Sequence, residues 1–201
     1  DNTVKKSQQN GVKKIIKIRN YYPGKSLNLG IKKSSGDYIV CLSAHCIPKH
    51  KNWLNNLFNS ISENNEYAGV YGRQEPMNFS SNSDKRDLFL VFGLDRKVQI
   101  KDTFFHNANS AFRRETWKKI PFNEKITNIE DRIWGEKVIS MGLKIIYEPT
   151  ASVYHFHGVH QNLNKKRAEN VVKILESLSN FKKEDNSINY DDLKILALPL
   201  Y

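Results

Sequence analysis

Cysteine is scarce: the 201 residues hold two, Cys41 and Cys46. That excludes a thiolate metal quartet and a disulfide framework, and both read as reduced thiols on a strand and the loop after it. Long apolar runs are missing too. No stretch approaches the roughly 20 residues that a membrane-spanning helix needs, and the polar residues 1–10 lead into no apolar segment of the kind a secretory signal carries. The expectation is a cytosolic location, with peripheral contact at the inner face of a membrane. Acidic residues are outnumbered, 21 against 32 Lys and Arg, for a formal net charge of +11. Anionic partners are therefore favoured: nucleotide diphosphates, anionic lipid headgroups or nucleic acid. The cations are spread along the chain, with one short basic run at Lys165-Lys166-Arg167. No helix-turn-helix, zinc or RNA-binding motif accompanies them, so no specific nucleic-acid partner is expected.

What is present suits one ordinary α/β core, because 39% hydrophobic and 11% aromatic residues bury enough apolar area to offset chain entropy. Residues 2–9 read as the end of a helix closed by Asn10-Gly11, and 12–18 as a β-rich run. Leu27, Gly30 and Ile31 recur at helical spacing within 26–34, and Ser35-Gly36-Asp37 then breaks the pattern ahead of an apolar strand at 38–42. After Pro48, the spacing of Trp53, Leu54, Leu57, Phe58 and Ile61 predicts an amphipathic helix. A strand follows at 67–72. Residues 74–101 read as a loop-rich insertion with a helical piece at 88–94. The order then becomes strand 110–113, helix 114–120, helix 130–141 stopped by Gly142, strand 144–148 ahead of Pro149, amphipathic helix 168–181 and a tail at 182–201. Alternating strands and helices imply a largely parallel sheet covered on both faces.

Three polar constellations stand out. The strand 38–42 delivers Ser43-Ala44-His45 at its carboxyl end, where open α/β sheets place ligands. In Val153-Tyr154-His155-Phe156-His157-Gly158 the two imidazoles are separated by one residue and face one side of an extended chain. Glu130-Asp131 opens a helix, a position where carboxylates also serve as plain partners of the helix dipole. Nearby, Asn107 and Asn109 offer hydrogen bonds to hydroxyls, and Arg113 or Arg114 a bidentate donor to phosphate.

The order of these segments resembles glycosyltransferase family 2. The family runs a strand like Gly36-Asp37-Tyr38-Ile39 into an Asp-x-Asp triplet, then a Pro and a Trp-Leu helix, as at Pro48 and Trp53-Leu54. Its preceding helix is similar to the segment from Gly24 to Ile31. Its Glu-Asp pair follows a segment like 107–114 and precedes a Gly-x-x-Ile-x-Tyr-x-Pro strand like 142–149. Rhamnosyltransferase-like members close the domain with a Val-x-His-x-His segment. The likeness covers residues 11–158 and departs at one point, since Ser43-Ala44-His45 stands where the family has two carboxylates.

This resemblance implies a GT-A fold, Rossmann-like, with a mostly parallel sheet and helices on both faces. Residues 1–160 would be a catalytic domain lacking the family's amino-terminal nucleotide-binding strands, and 161–201 a carboxyl-terminal helix and tail. The implied activity is inverting transfer from a nucleotide-diphosphate sugar to a glycan or lipid-linked acceptor in surface polysaccharide synthesis. Asp131 would be the general base with Glu130 beside it. Lys25, Asn28, Ser43, His45 and Arg113 would bind the donor, and Asn107, Asn109 and Trp134 the acceptor. His45, His155 and His157 would hold a divalent metal, Mn²⁺ or Mg²⁺; related polypeptide N-acetylgalactosaminyltransferases use Asp-x-His, and imidazole suits Mn²⁺ better than Mg²⁺. The competing expectation is a non-catalytic carbohydrate- or nucleotide-binding module that has degenerated from the family.

Overall fold

The computed structural model describes residues 2–158 and 164–178. In chain order the elements are α1 (Thr3–Gln9), α2 (Pro23–Lys32), β1 (Tyr38–Leu42), β2 (Cys46–Pro48), α3 (Trp53–Ser62), β3 (Tyr67–Pro76), α4 (Asn82–Val91), β4 (Lys97–Gln99), β5 (Asn109–Arg113), α5 (Arg114–Lys119), α6 (Glu130–Ser140), β6 (Lys144–His155) and α7 (Lys165–Leu178). Local chemistry sets several boundaries. Pro23 pre-forms the first turn of α2. Ser81 caps α4 by accepting from the Asp84 N–H at 3.2 Å, so this helix starts at Asn82, earlier than the apolar residues alone predict. Gly142 ends α6 at φ +75°, in the left-handed region where glycine is free of Cβ strain.

Five strands hydrogen-bond in the order β1-β5-β3-β6-β2, and β4 joins β6 from the side. The α/β class is as expected, but the strand directions are mixed. Parallel pairing is confined to β3 and β6, while β5 runs antiparallel to both β1 and β3, and β2 and β4 run antiparallel to β6. The short strands β2 and β4 were not foreseen. Residues 12–18 form no strand: Val12 and Ile16 are exposed, and β1 pairs only with β5, so the β-rich run finds no ladder among the described residues. The strand expected to stop before Pro149 continues through it. Its register jumps from Glu148 opposite Gly72 to Val153 opposite Gln74, leaving 149–152 against Arg73 alone. A bulge of this kind accommodates a residue with no N–H. Gly72 is needed there, because a Cβ would collide with the Ala151 carbonyl and the Asn109 amide.

Successive side chains of the strands feed two layers. Phe112, Ile145 and Tyr147 meet Ile31, Leu88, Trp117, Trp134 and Val138 on the face covered by α2, α4, α5 and α6. Val70, Ala111 and Ile146 meet Leu57 and Ile61 of α3 on the other. The two-residue period of the strands is thus what places helices on both sides of one sheet. Among the described residues no helix is long and apolar enough to cross a membrane. The expected helix at 168–181 is α7, beginning three residues earlier; residues 179–181 and the tail lie outside the described residues.

Candidate active site

A cleft of about 1260 Å³ opens beside β1, walled by α2, the loop before β5, the start of α6 and one face of α7. Two clusters of titratable side chains project into it. The first forms where β1 ends. The Ser43 N–H donates to the Ala108 carbonyl at 3.0 Å, and the Cys46 N–H returns to the Ser43 carbonyl at 2.9 Å, so the chain reverses through Ala44 and His45 into β2. β2 then pairs with the end of β6, setting Cys46 opposite His155, and the Phe156 N–H donates to the His45 carbonyl at 3.2 Å. The pairing thereby lays His45 against both imidazoles of the His-x-His segment.

The three rings are mutual neighbours. Centroids are 4.9 Å apart for His45 and His155, 4.7 Å for His45 and His157, and 4.6 Å for His155 and His157. One nitrogen from each lies within 4.8 Å of the other two. His155 is 1% exposed, and neither of its ring nitrogens has a hydrogen-bond partner. Burial, then the neighbouring His157, His106 and His45, push its pKa down to about 3, so the ring is neutral with a lone pair to offer. Burial and His157 lower that of His45 as well.

The second cluster opens α6. Ile129 sits at its N-cap with φ 58°, a left-handed conformation that is costly for a β-branched residue, on the order of 1–3 kcal/mol. That turn swings Glu130 and Asp131 toward the cleft. Asp131 accepts from the Asn107 N–H at 3.1 Å through Oδ2, and Glu130 accepts from the Asn107 amide at 3.5 Å. Glu130 is buried, and desolvation first, then the Asp131 carboxylate, raise its pKa to about 7. A carboxyl group poised near neutrality is suited to exchanging protons. The Cys41 thiol on the same wall is driven the other way from reactivity, up to about 12, by burial and then by Glu130.

Ser43, His45, Asn107, Glu130, Asp131, His155 and His157 all line this one cleft. The structure puts six other expected site residues elsewhere. Asn28 is buried against α5: its amide donates to the Phe122 carbonyl and Glu124, and its oxygen accepts from Trp117 Nε1 and the Phe122 N–H. Asn109 is buried too, accepting from Trp53 Nε1 and donating to the Arg73 and Ala151 carbonyls. Arg113 spends its guanidinium on the carbonyls of Tyr67, Ile61 and Asn64 and on the Tyr38 hydroxyl. Arg114 is likewise tied, to Gly36, Ile31 and Ser34. Trp134 is 1% exposed in the core, with Nε1 donating to the Ile120 carbonyl. Lys25 is exposed on α2, off the wall of the cleft.

Two residues outside the expected site set, His106 and Arg167, line the cleft instead. His106 lines the cleft, and its Nδ1 accepts from the Ala108 N–H at 3.3 Å. A backbone N–H can only donate, so the ring proton resides on Nε2, a donor free for a ligand. Gln74 donates to the same Nδ1 at 3.1 Å. Arg167 reaches the cleft from α7, donating to Asn128 at 2.5 Å, and its charge acts on both Glu130 and His106. Its place in a basic run gave it the look of a solvated cation.

The family model described as Glycosyl transferase family 2 matches residues 1–120, more than half of the chain. The chain belongs to glycosyl transferase family 2. Among curated relatives, the O-antigen chain rhamnosyltransferase RfbN of Salmonella typhimurium is 28% identical over 160 residues, covering 71% of this chain and 48% of that protein. WbaN of Salmonella anatum, of the same description, is 28% identical over 131 residues, covering 60% and 41%. This family 2 chain thus spans less than half the length of the curated relatives it matches. Its GT-A fold is shared with the mannosyltransferase PcManGT of Pyrobaculum calidifontis, solved with GDP-Man and Mn²⁺: TM-score 0.62, 17% identity, 84% of this chain and 48% of that one. It is shared also with GalNAc-T7, solved with UDP, GalNAc and Mn²⁺: TM-score 0.61, 15% identity, 86% and 38%.

Proposed function

We propose that this family 2 chain carries the site for moving a sugar, hexosyl or rhamnosyl, from a nucleotide-diphosphate sugar to a glycan or lipid-linked acceptor in surface polysaccharide synthesis. The observation that carries the reading is the convergence of the three imidazoles and the Glu130–Asp131 pair on one cleft. Transfer by direct displacement with inversion asks for two things in one place: neutralisation of a departing diphosphate, and a base for the attacking hydroxyl. Asp131 supplies the base. It is half-buried, opens into the cleft, and is held in orientation by the Asn107 N–H. Glu130, with its raised pKa, exchanges a proton beside it and hydrogen-bonds acceptor hydroxyls, while Asn107 bridges the two carboxylates. Ser43 and the Nε2–H of His106 face the donor, and Arg167 adds positive charge on the α7 side.

The residues fit a divalent ion. His45, His155 and His157 would hold it, and the orphaned nitrogens of His155 are the mark of a ligand awaiting a partner. When bound, such an ion supplies positive charge against the diphosphate. The Mn²⁺ in the two solved relatives supports this reading.

Release of nucleoside diphosphate from a panel of nucleotide sugars tests the proposal. Asp131→Asn should lower transfer by at least about a hundredfold while leaving donor affinity close to that of the parent. A second reading, a non-catalytic module, is favoured by the Ser43-Ala44 pair standing where carboxylates are expected. It requires donor binding with no release in any metal, and no difference between the parent and Asp131→Asn.

A further inference from the structure

We infer that His45, His155 and His157 form a nitrogen-only site that selects a borderline transition ion, Zn²⁺ ahead of Co²⁺ and Mn²⁺, and rejects Mg²⁺. This rests on the metal-dependent reading of the cleft and goes beyond it by assigning the ion from the ligand set. Mg²⁺ is a hard cation that wants oxygen in near-octahedral array. The cluster offers it no carboxylate, since Ser43 and Ala44 occupy the turn that leads to His45 and the group of three is all imidazole. Imidazoles suit the later first-row ions, whose affinities rise from Mn²⁺ to Co²⁺, and a set of three imidazoles is a ligand pattern of tetrahedral Zn²⁺. Three imidazoles also leave a fourth tetrahedral position open, the pattern of a site that accepts an outside oxygen ligand.

Two features show that the cluster is built. His155 is buried with both nitrogens unpartnered, an arrangement that is unfavourable unless a ligand takes one of them. His157 is oriented from outside the cluster: its Nδ1 lies 2.9 Å from the Gly158 carbonyl. A carbonyl can only accept, so Nδ1 carries the proton and Nε2 keeps the lone pair for a metal. Gly158 is held in turn, its N–H donating to Asp84 Oδ1 at 2.6 Å. Asp84, Gly158 and His157 thus form the carboxylate-backed support that fixes ring and tautomer around a metal ligand. With all three ligands neutral, the ion keeps its full charge for a diphosphate oxygen.

The test uses the chelator-treated chain, titrated calorimetrically and in thermal unfolding with the chlorides of Zn²⁺, Co²⁺, Mn²⁺ and Mg²⁺ alone. One Zn²⁺ per chain should bind and raise the unfolding temperature, Co²⁺ should give the intense visible bands of four-coordinate nitrogen ligation, and a hundredfold excess of Mg²⁺ should neither bind nor displace Zn²⁺. His45 is exposed, so His45→Ala keeps the fold and should weaken Zn²⁺ by at least about tenfold; His157→Ala should do the same, and His50→Ala, outside the cluster, should change nothing. Mg²⁺ affinity comparable to that of Zn²⁺, or Zn²⁺ affinity unchanged in His45→Ala, would overturn the assignment. Diphosphate release sustained by Mg²⁺ without Zn²⁺ binding overturns it too and leaves the transferase reading standing. Zn²⁺ bound at the cluster with no release in any metal upholds it and removes the transferase reading.

Discussion

The acidic pair at the start of α6 makes a prediction about stability that needs no substrate. Glu130 has an ordinary carboxyl pKa of 4.5 when the chain is unfolded and about 7 in the folded cleft, because burial and the Asp131 charge both oppose its ionisation. The sign follows from which state holds the proton more tightly. The folded state does, so the stability contributed by the protonated carboxyl is fully present below pH 4.5 and is lost as pH rises through about 7. At about 1.4 kcal/mol per pH unit, the loss across that window is about 3 kcal/mol. Glu130→Gln keeps a neutral side chain of the same shape and cannot ionise. Urea unfolding of parent and variant at pH 5 and pH 8 isolates the acidic pair, since groups that do not interact with Glu130 cancel in the comparison. The variant should gain about 2–3 kcal/mol on the parent between the two pH values, part of the loss having already occurred by pH 5. A difference between the two proteins that stays constant with pH would refute both the burial of this carboxyl and its coupling to Asp131.

Removing the proposed base by Asp131→Asn should lower turnover by about 10² to 10⁴ with KM little changed, measured as diphosphate release. The same change removes the second cause of the Glu130 shift, so the pH-dependent loss of stability should shrink but not vanish. Arg113→Ala should act on the fold and not on the donor: it strips hydrogen bonds from three carbonyls and the Tyr38 hydroxyl, for about 2–4 kcal/mol in urea unfolding, with donor affinity preserved below the transition. Asn28→Ala should behave alike, because Trp117 Nε1 and the Phe122 N–H lose their acceptor. His106→Gln retains a donor near the Nε2 position whereas His106→Phe does not, so donor KM should rise more in the second, as steady-state kinetics would show.

What was legible in the chain followed from local chemistry. The strand at Tyr38–Leu42 and its polar turn, the helix at Trp53, the Gly142 stop and the acidic helix start are written in patterns a few residues long, and all lie where the periodicity puts them. The site residues carried by those patterns, His45, Glu130 and Asp131, meet in the cleft. Residue type alone misled elsewhere. An amide or guanidinium advertises hydrogen-bonding capacity without saying who takes it, and in Asn28, Asn109 and Arg113 the takers are backbone carbonyls and core side chains distant in sequence. Trp134 followed the acidic pair into the expected site, although its position on α6 turns it inward. His106 was missed because its role depends on the Ala108 N–H fixing its tautomer, a contact of geometry and not of pattern. Strand direction escaped for a similar reason: β5 enters between β1 and β3, and insertion order is a property of the sheet as a whole.

The central claim is that one cleft binds a nucleotide-diphosphate sugar through the histidine cluster while the acidic pair stands ready for the acceptor. Thermal unfolding against a panel of nucleotide sugars with Zn²⁺ or Mn²⁺ addresses it most directly, since a ligand at a hundred times its Kd stabilises the native state by about 2.7 kcal/mol. One donor should raise the unfolding temperature of the parent and of Asp131→Asn alike, and lose that effect in His45→Ala. If no nucleotide sugar shifts the parent, or the shift persists undiminished in His45→Ala, the cleft is not a donor site.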